Sequence, residues 1–296
     1  MAGTLVSIGH GYSAEALDRR LLPQGWRVIG TTRSAERAAR LRATGVEAVI
    51  WPGEDLRPAL AAATHLLSSV APGNGDPVIA ALGEEIAAVA PNLAWVGYLS
   101  TTGVYGDRQG DWVDEASPLA PTTRRGAARL RAEEEWQALA RRAGLALHIF
   151  RLAGIYGSGR GPFEKVRAGT ARRIIKPGQV FSRIHVDDIA QVLEASIARP
   201  DPGAVYNVCD DAPAPPEDVL AHAAELLGLP PPSAVAFDEA EMSDMARSFY
   251  AESKRVRNDR IKEELGVRLL YPDYRAGLAA VLAAEDSVSS GASARS

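Results

Sequence analysis

The sequence predicts an α/β chain, a doubly wound parallel sheet followed by a smaller C-terminal α/β lobe. Three observations carry that expectation. Short apolar runs that read as strands alternate with Ala- and Leu-rich stretches that read as helices. The runs are apolar almost throughout, as strands covered on both faces must be. Between the first run and the first helix stands a glycine turn, Gly9-His10-Gly11-Tyr12-Ser13-Ala14.

The first strand is Thr4 to Ile8 and the helix after the turn runs from Glu15 to Leu22. A strand, a G-x-G-x-x-A turn and a helix N-terminus bring backbone N–H groups and the positive end of a helix dipole to a place where a pyrophosphate can sit. Gly9 allows the tight turn, Gly11 lets phosphates approach the backbone, and Ala14 lets helix and strand pack closely; Tyr12 and Ser13 complete the expected cofactor contact. Such a turn can also be purely structural. The second strand, Trp26 to Gly30, closes a βαβ unit of roughly 30 residues and favours the nucleotide reading of a Rossmann sheet.

The end of that strand reads Gly30-Thr31-Thr32-Arg33-Ser34 and carries no acid. Dinucleotide units that prefer NAD place an Asp or Glu there for the ribose hydroxyls, whereas an Arg accommodates a 2′-phosphate. Arg33 can pair with a phosphate dianion, and Thr32 and Ser34 can donate to it. The expected cofactor is therefore NADP rather than NAD. The alternative for Ser34 is a helix N-cap.

The third strand is Glu47 to Ile50, the fourth His65 to Val70, the fifth Trp95 to Ser100 and the sixth Leu145 to Leu152. Right-handed crossovers through the intervening helices give a doubly wound sheet. After residue 153 the rhythm changes, with Gly154, Gly157, Gly159 and Gly161 in a loop and Pro213, Pro215, Pro216 and Pro230 to Pro232 in later turns. Shorter elements follow: helices near Asp188 to Ala198, Pro216 to Leu227, Asn258 to Leu265 and Asp273 to Ala284, and a strand at Ala204 to Val208. The expected division is a dinucleotide-binding core over 1–153, a smaller substrate lobe over 154–285 with some core elements interleaved, and a Ser/Gly/Ala tail over 286–296 that reads as disordered.

Bulk properties exclude several classes. The 296 residues are 46% apolar with a formal net charge of −4, which argues against a nucleic-acid footprint and gives no reason to invoke a membrane surface. No apolar run approaches the roughly 18 residues of a membrane span, and no basic-then-apolar leader precedes the first strand, so a cytoplasmic location is expected. Cys209 is the lone cysteine, which rules out an internal disulfide and a Cys-rich metal site. No metal site is expected.

Three further segments carry a family resemblance. Leu99-Ser100-Thr101-Thr102-Gly103-Val104-Tyr105-Gly106 resembles the SS-x-x-VYG segment of extended short-chain dehydrogenases, the NAD(P)-dependent epimerase/dehydratase family. Arg151-Leu152-Ala153-Gly154-Ile155-Tyr156-Gly157 is similar to that family's R-x-x-x-x-YG signature, and Arg183-Ile184-His185-Val186-Asp187-Asp188 to its later R-x-x-H-V-x-D segment. They occur in family order over nearly the whole chain. The G-x-G-x-x-A turn departs from the usual G-x-x-G-x-x-G and resembles an atypical subgroup.

The resemblance implies a Ser/Thr, a Tyr and a Lys, the Tyr phenolate accepting a substrate proton and the Lys holding the ribose and lowering the phenol pKa. Thr101 falls on the hydroxyl position, but Arg125 stands where the Tyr belongs and Arg129 where the Lys belongs. No shift restores the dyad, because no Tyr lies between Tyr105 and Tyr156 and no Lys precedes Lys165. A Y-x-x-x-K at Tyr250 to Lys254 lies far downstream, in the smaller lobe. A guanidinium cannot be a general base. Arg129 could still donate to the nicotinamide ribose and Arg125 bind a phosphate or carboxylate; the alternative is a solvated face of Arg124, Arg125, Arg129 and Arg131 with Glu133 and Glu134 as partners.

By the same resemblance, Asp55 would accept from the adenine amino group, with an N-cap as the alternative, and Ala71-Pro72 would pass the cofactor. His185 would lie near the substrate pocket, or be structural beside Asp187 and Asp188; Tyr105 and Tyr156 read as packing residues. Two functions follow. One is an oxidoreductase or sugar-nucleotide epimerase/dehydratase whose proton transfer uses a substituted group such as Thr101 with water or His185, acting on a small-molecule substrate. The other is a non-catalytic NADP-binding redox sensor or partner-binding module. The resemblance also implies a homodimer through helices of the kind that follows Thr123.

Overall fold

The computed structural model describes residues 2–293. Its first half alternates strictly: β1 (Thr4–Ile8), α1 (Tyr12–Leu21), β2 (Arg27–Thr32), α2 (Ala35–Ala43), β3 (Glu47–Ile50), α3 (Arg57–Ala62), β4 (His65–Ser68), α4 (Pro77–Val89) and β5 (Trp95–Thr101). Then come β6 (Trp112–Val113), α5 (Arg124–Ala143), β7 (Leu147–Leu152), β8 (Gly154–Tyr156), α6 (Phe163–Arg167), β9 (Arg173–Ile175), β10 (Arg183–His185), α7 (Val186–Ala198) and β11 (Val205–Val208). The chain closes with α8 (Pro216–Leu226), β12 (Ala234–Ala236), α9 (Asp244–Phe249), β13 (Arg255–Val256), α10 (Asp259–Glu263) and α11 (Tyr274–Ser293).

Local chemistry sets the helix starts. Ser34, Asp76 and Thr123 each accept a backbone N–H from the first turn of α2, α4 and α5, satisfying donors that a helix N-terminus leaves unpaired. Gly144 ends α5 in the left-handed conformation, at φ 71°.

Seven strands form one parallel sheet in the order β11-β7-β5-β4-β1-β2-β3. β1 lies between β2 and β4, with Val6 opposite Ile29 on one side and Leu66 on the other. The chain therefore winds outward through β2 and β3, crosses back to β4, and winds the other way. That reversal opens a crevice beyond the carboxyl ends of β1 and β4, where open α/β sheets bind ligands. Leu5, Trp95 and Phe150 face a core under α1, α2 and α7; Val6, Tyr98 and Ile149 face a second core under α3, α4 and α5. A third core, around Tyr156, Phe163, Ala223 and Tyr274, belongs to the smaller lobe.

The core elements expected to be interleaved within 154–285 complete the large sheet: β11 pairs with β7, Val205 opposite Ile149, and α7 packs on α1. Phe150 on β7 stacks on Tyr206 of β11 at 5.9 Å and would be left uncovered without that strand. The tail expected to be disordered continues α11 as far as Ser293, while 294–296 lie outside the described residues. Tyr274, Leu278 and Val281 dock the first half of that helix, and Arg167 pairs with Glu285 at 2.7 Å, so propagation from an anchored start replaces nucleation.

α5 is fixed to the sheet by a buried ion pair. Arg151 on β7 donates from Nη2 to Glu133 Oε2 at 2.8 Å, and Ser100 Oγ donates to the other carboxylate oxygen. Arg151 Nη1 also donates to Tyr105 Oη at 3.0 Å, and that hydroxyl donates to Asn207 on β11 at 2.7 Å. Glu133, read from sequence as a surface partner of the helix arginines, is 1% exposed. Removing one member of such a pair strands a buried charge, which typically costs about 3–5 kcal/mol. Glu133→Ala should lower stability by about that amount in urea denaturation, whereas Glu133→Leu combined with Arg151→Met should cost less than the single change.

Candidate functional site

The glycine turn closes the crevice on one side. Gly9 has φ +77°, and a Cβ there would stand 2.7 Å from Val70 Cγ2, so the turn needs glycine for both conformation and space. Gly9 N donates to Thr31 Oγ1 at 2.8 Å and His10 N to Thr31 O at 3.0 Å, anchoring the turn to β2. The His10 ring packs over Gly30, where a Cβ would stand 2.7 Å from it, and its Nε2 meets Asp18 Oδ2 at 2.8 Å. Gly11 is the N-cap of α1 and offers no side-chain cap. The nearest atom to a Cβ built on it is Gly9 O, at 3.6 Å, so the space in front of the first-turn N–H groups is open. Ala14 is buried against the strand and Ser13 beside it. This cradle fits a pyrophosphate.

At the end of β2, Thr32 is buried and Arg33 exposed. Ser34 accepts from Arg37 N at 3.2 Å and so is the cap of α2, its hydroxyl proton still free to be donated outward. Arg37, which sequence reasoning passed over, pairs with Glu15 and reaches His10 O. Asp55 accepts from Arg57 N at 3.0 Å and Arg57 Nε at 2.9 Å, and that arginine holds its carboxyl below the usual range. The N-cap of α3 is Leu56, so Asp55, one residue earlier, makes a turn contact with Arg57 and is not the helix cap of the alternative reading. The chain leaving β4 carries Val70 against Gly9 and then Ala71, exposed, and Pro72, half-buried, along the crevice rim.

Thr101, half-buried at the end of β5, accepts from Gly103 N at 3.2 Å. Arg129 is not on a solvated face, as one reading of the sequence had it. Its Nη1 donates to Leu99 O at 2.8 Å, Tyr98 Oη at 3.0 Å and Val70 O at 3.3 Å, so it bridges the ends of β4 and β5 beneath the crevice. Arg125 is exposed, its guanidinium 5.8 Å from the centre of the Phe249 ring. Lys254 is buried and spent on Glu252, at 2.6 Å, and Gly106 O, at 2.8 Å. Tyr250 packs against Phe181 and Phe237.

His185 does not join Thr101. Its Nδ1 accepts from Asp187 N at 3.2 Å to cap α7, and its ring lies between Tyr156 and Tyr271. That bond places the ring proton on Nε2, and burial pushes the pKa below the usual imidazole value. Two surface concavities, of about 520 Å³ beside Asp211 and Lys262 and about 670 Å³ beside Glu115 and Arg260, lie along β11, away from the crevice. Among the described residues no helix is long and apolar enough to cross a membrane, and no group of three or more His, Cys, Asp or Glu is placed to hold a metal ion.

Residues 5–209 match the model of the NAD dependent epimerase/dehydratase family. The chain belongs to that family. A solved structure from Silicibacter pomeroyi DSS, described as a functionally unknown conserved protein, is 64% identical with a TM-score of 0.91, over 96% of this chain and 99% of that one. Protein YeeZ of Escherichia coli K12 is 29% identical over 280 residues, 90% of this chain and 95% of its own. A 3-diazoavenalumate denitrifying reductase of Streptomyces sp. is 30% identical over 182 residues, 56% of this chain and 58% of its own.

Burial raises the pKa of all eight tyrosines. Tyr105 is pushed up to about 12 despite its bond from Arg151. Tyr98 goes higher still, although it touches Arg129. On the lobe side, burial pushes the Asp210 carboxyl up to about 8. Its Oδ1 accepts from Ala212 N at 3.2 Å, while its Oδ2 has no partner among the described residues. The folded chain thus holds a proton that the unfolded chain has lost above the ordinary Asp pKa of about 4, so this group makes stability fall as pH rises toward 8. The thermal midpoint of Asp210→Asn should gain on the wild type by several degrees between pH 5 and pH 8; parallel curves would contradict this.

Proposed function

We propose that the protein is an NADP(H)-dependent oxidoreductase that works in the reducing direction, transferring hydride to an electrophilic small molecule without a phenolate base. The observation that carries the reading is Arg129, fixed between the ends of β4 and β5 where the resemblance puts the family lysine, in a chain where burial raises the pKa of every tyrosine. Oxidising an alcohol requires a group that accepts its proton. Reducing an acceptor instead builds negative charge on it, and a fixed cation stabilises that charge without taking part in proton transfer.

The residues present fit a dinucleotide. The uncapped first turn of α1 behind Gly11 suits the diphosphate, and Arg33 with the Ser34 hydroxyl suits a 2′-phosphate. When bound, the reduced dinucleotide supplies the hydride. Arg129 orients the nicotinamide ribose, Arg125 meets an anionic part of the acceptor, and Thr101 passes a water-derived proton to the reduced product. The name of the Streptomyces relative, a reductase, supports this direction over epimerisation.

Calorimetric titration should show NADPH binding to the wild type and, for Arg33→Ala, about tenfold or greater weakening toward NADPH with NADH unchanged, the worth of one charge-assisted contact. With quinones, activated alkenes and diazo arenes as acceptors, NADPH consumption should vary little between pH 6 and 9, and Thr101→Val should lower turnover with NADPH affinity intact. Failure to bind any dinucleotide overturns the reading. Tight NADPH binding with no turnover across the acceptors would replace it with a non-catalytic NADP sensor.

A further inference from the structure

Beyond the glycine turn, a second glycine-rich segment approaches the same helix end. Gly157 and Arg160 exchange two backbone hydrogen bonds, at 3.1 and 2.9 Å, which makes 157–160 a tight hairpin. Tyr12, the residue after Gly11, donates from its hydroxyl to Ser158 O at 2.9 Å. A Cβ on Gly157 would stand 2.5 Å from that hydroxyl and 2.8 Å from Val186 Cγ1, so the glycine is what lets the hairpin reach Tyr12. Nothing lies within 4 Å of a Cβ built on Gly159, which has φ +69°. The exposed Arg160 guanidinium rests 5.7 Å above the Tyr12 ring.

Arg37 and Arg160 reach this end of α1, and Arg19 stands in the last turn of the same helix. Arg19 is paired with Asp187 at 2.6 Å and Arg37 with Glu15. Arg160 has no carboxylate partner among the described residues. A dinucleotide diphosphate carries two negative charges, whereas a helix N-terminus presents the equivalent of roughly +0.5. A cation is still wanted there, and Arg160, without a carboxylate partner among the described residues, lies over the Tyr12 ring of the turn.

Resting on the cofactor reading of Gly9–Ala14, we propose that the 157–160 hairpin is a flap over the bound dinucleotide and that Arg160 is its diphosphate-binding residue. In this structure the guanidinium rests on the Tyr12 ring. With ligand bound it swings from the ring to the diphosphate, and the Tyr12 hydroxyl keeps the hairpin in place.

The test uses the full chain and two ligands. NADPH contains the diphosphate, whereas adenosine 2′-monophosphate reaches only the Arg33 end. By calorimetry, Arg160→Ala should bind NADPH about 10- to 100-fold more weakly and adenosine 2′-monophosphate as the wild type does, with Arg160→Lys in between. Tryptic cleavage after Arg160 should be slowed in the wild type by NADPH and unaffected by adenosine 2′-monophosphate. Unchanged NADPH affinity in Arg160→Ala, or equal weakening toward both ligands, would overturn the flap and leave the cofactor site standing. A wild type that binds adenosine 2′-monophosphate and not NADPH would overturn it as well, and one that binds neither of these nor NADH would remove the cofactor reading beneath it.

Discussion

The crevice is built on one buried carboxylate. Glu133 accepts from Arg151 on β7 and from Ser100 on β5, which sets the height and rotation of α5 over the sheet. Arg129 lies one helical turn before it on the same face, so the bonds that hold Glu133 also deliver the Arg129 guanidinium to the carbonyls of Val70 and Leu99. The same arginine on β7 reaches Tyr105 and, through it, Asn207 on β11. Three strands, one helix and the segment after β5 are thereby in register with a single ion pair. Low local dielectric makes such a network demanding: it has to be complete, since a half-satisfied one costs more than an apolar core.

The charges that α5 brings toward the crevice are fixed ones. The groups facing the crevice from α5 are guanidinium ions, whose charge does not vary over any physiological pH. The tyrosines nearby are packing elements with polar tips. Tyr98 stacks on Trp136, and Tyr156 meets the His185 ring edge-on. Their hydroxyls are tied up in internal bonds, and desolvation keeps them neutral.

The sequence made the βαβ unit, the alternating strands and the glycine turn legible, because each rests on local periodicity or on a glycine that only one backbone shape explains. The left-handed Gly9 and the open approach at Gly11 match what the G-x-G-x-x-A spacing implied. What stayed hidden depends on pairing across the chain. Glu133 reads as a helix-surface acid until Arg151, 18 residues on, is seen beneath it. Asp55 reads as an adenine acceptor or a helix cap, and its contact with Arg57, two residues away, is visible only in the folded chain. His185 sits in a family motif, yet its ring nitrogen is needed to start α7. The Y-x-x-x-K spacing at Tyr250 to Lys254 lies far downstream of the family position, and Lys254 is buried against Glu252 and the Gly106 carbonyl. Arg160 carried no motif at all, and only its placement over Tyr12 gives it meaning.

β11 joins the sheet only after the chain has left it to build β8, α6, β9 and β10. The smaller lobe is therefore threaded through the larger one rather than hung from its end. A polypeptide cut after residue 153 would lack the edge strand, and β7, whose six residues are all buried, would offer a bare apolar ladder to any other chain. Autonomy of the nucleotide-binding half is thus forfeited. In exchange, the loops of the lobe can drift in sequence while both of their anchor points stay pinned to the same sheet.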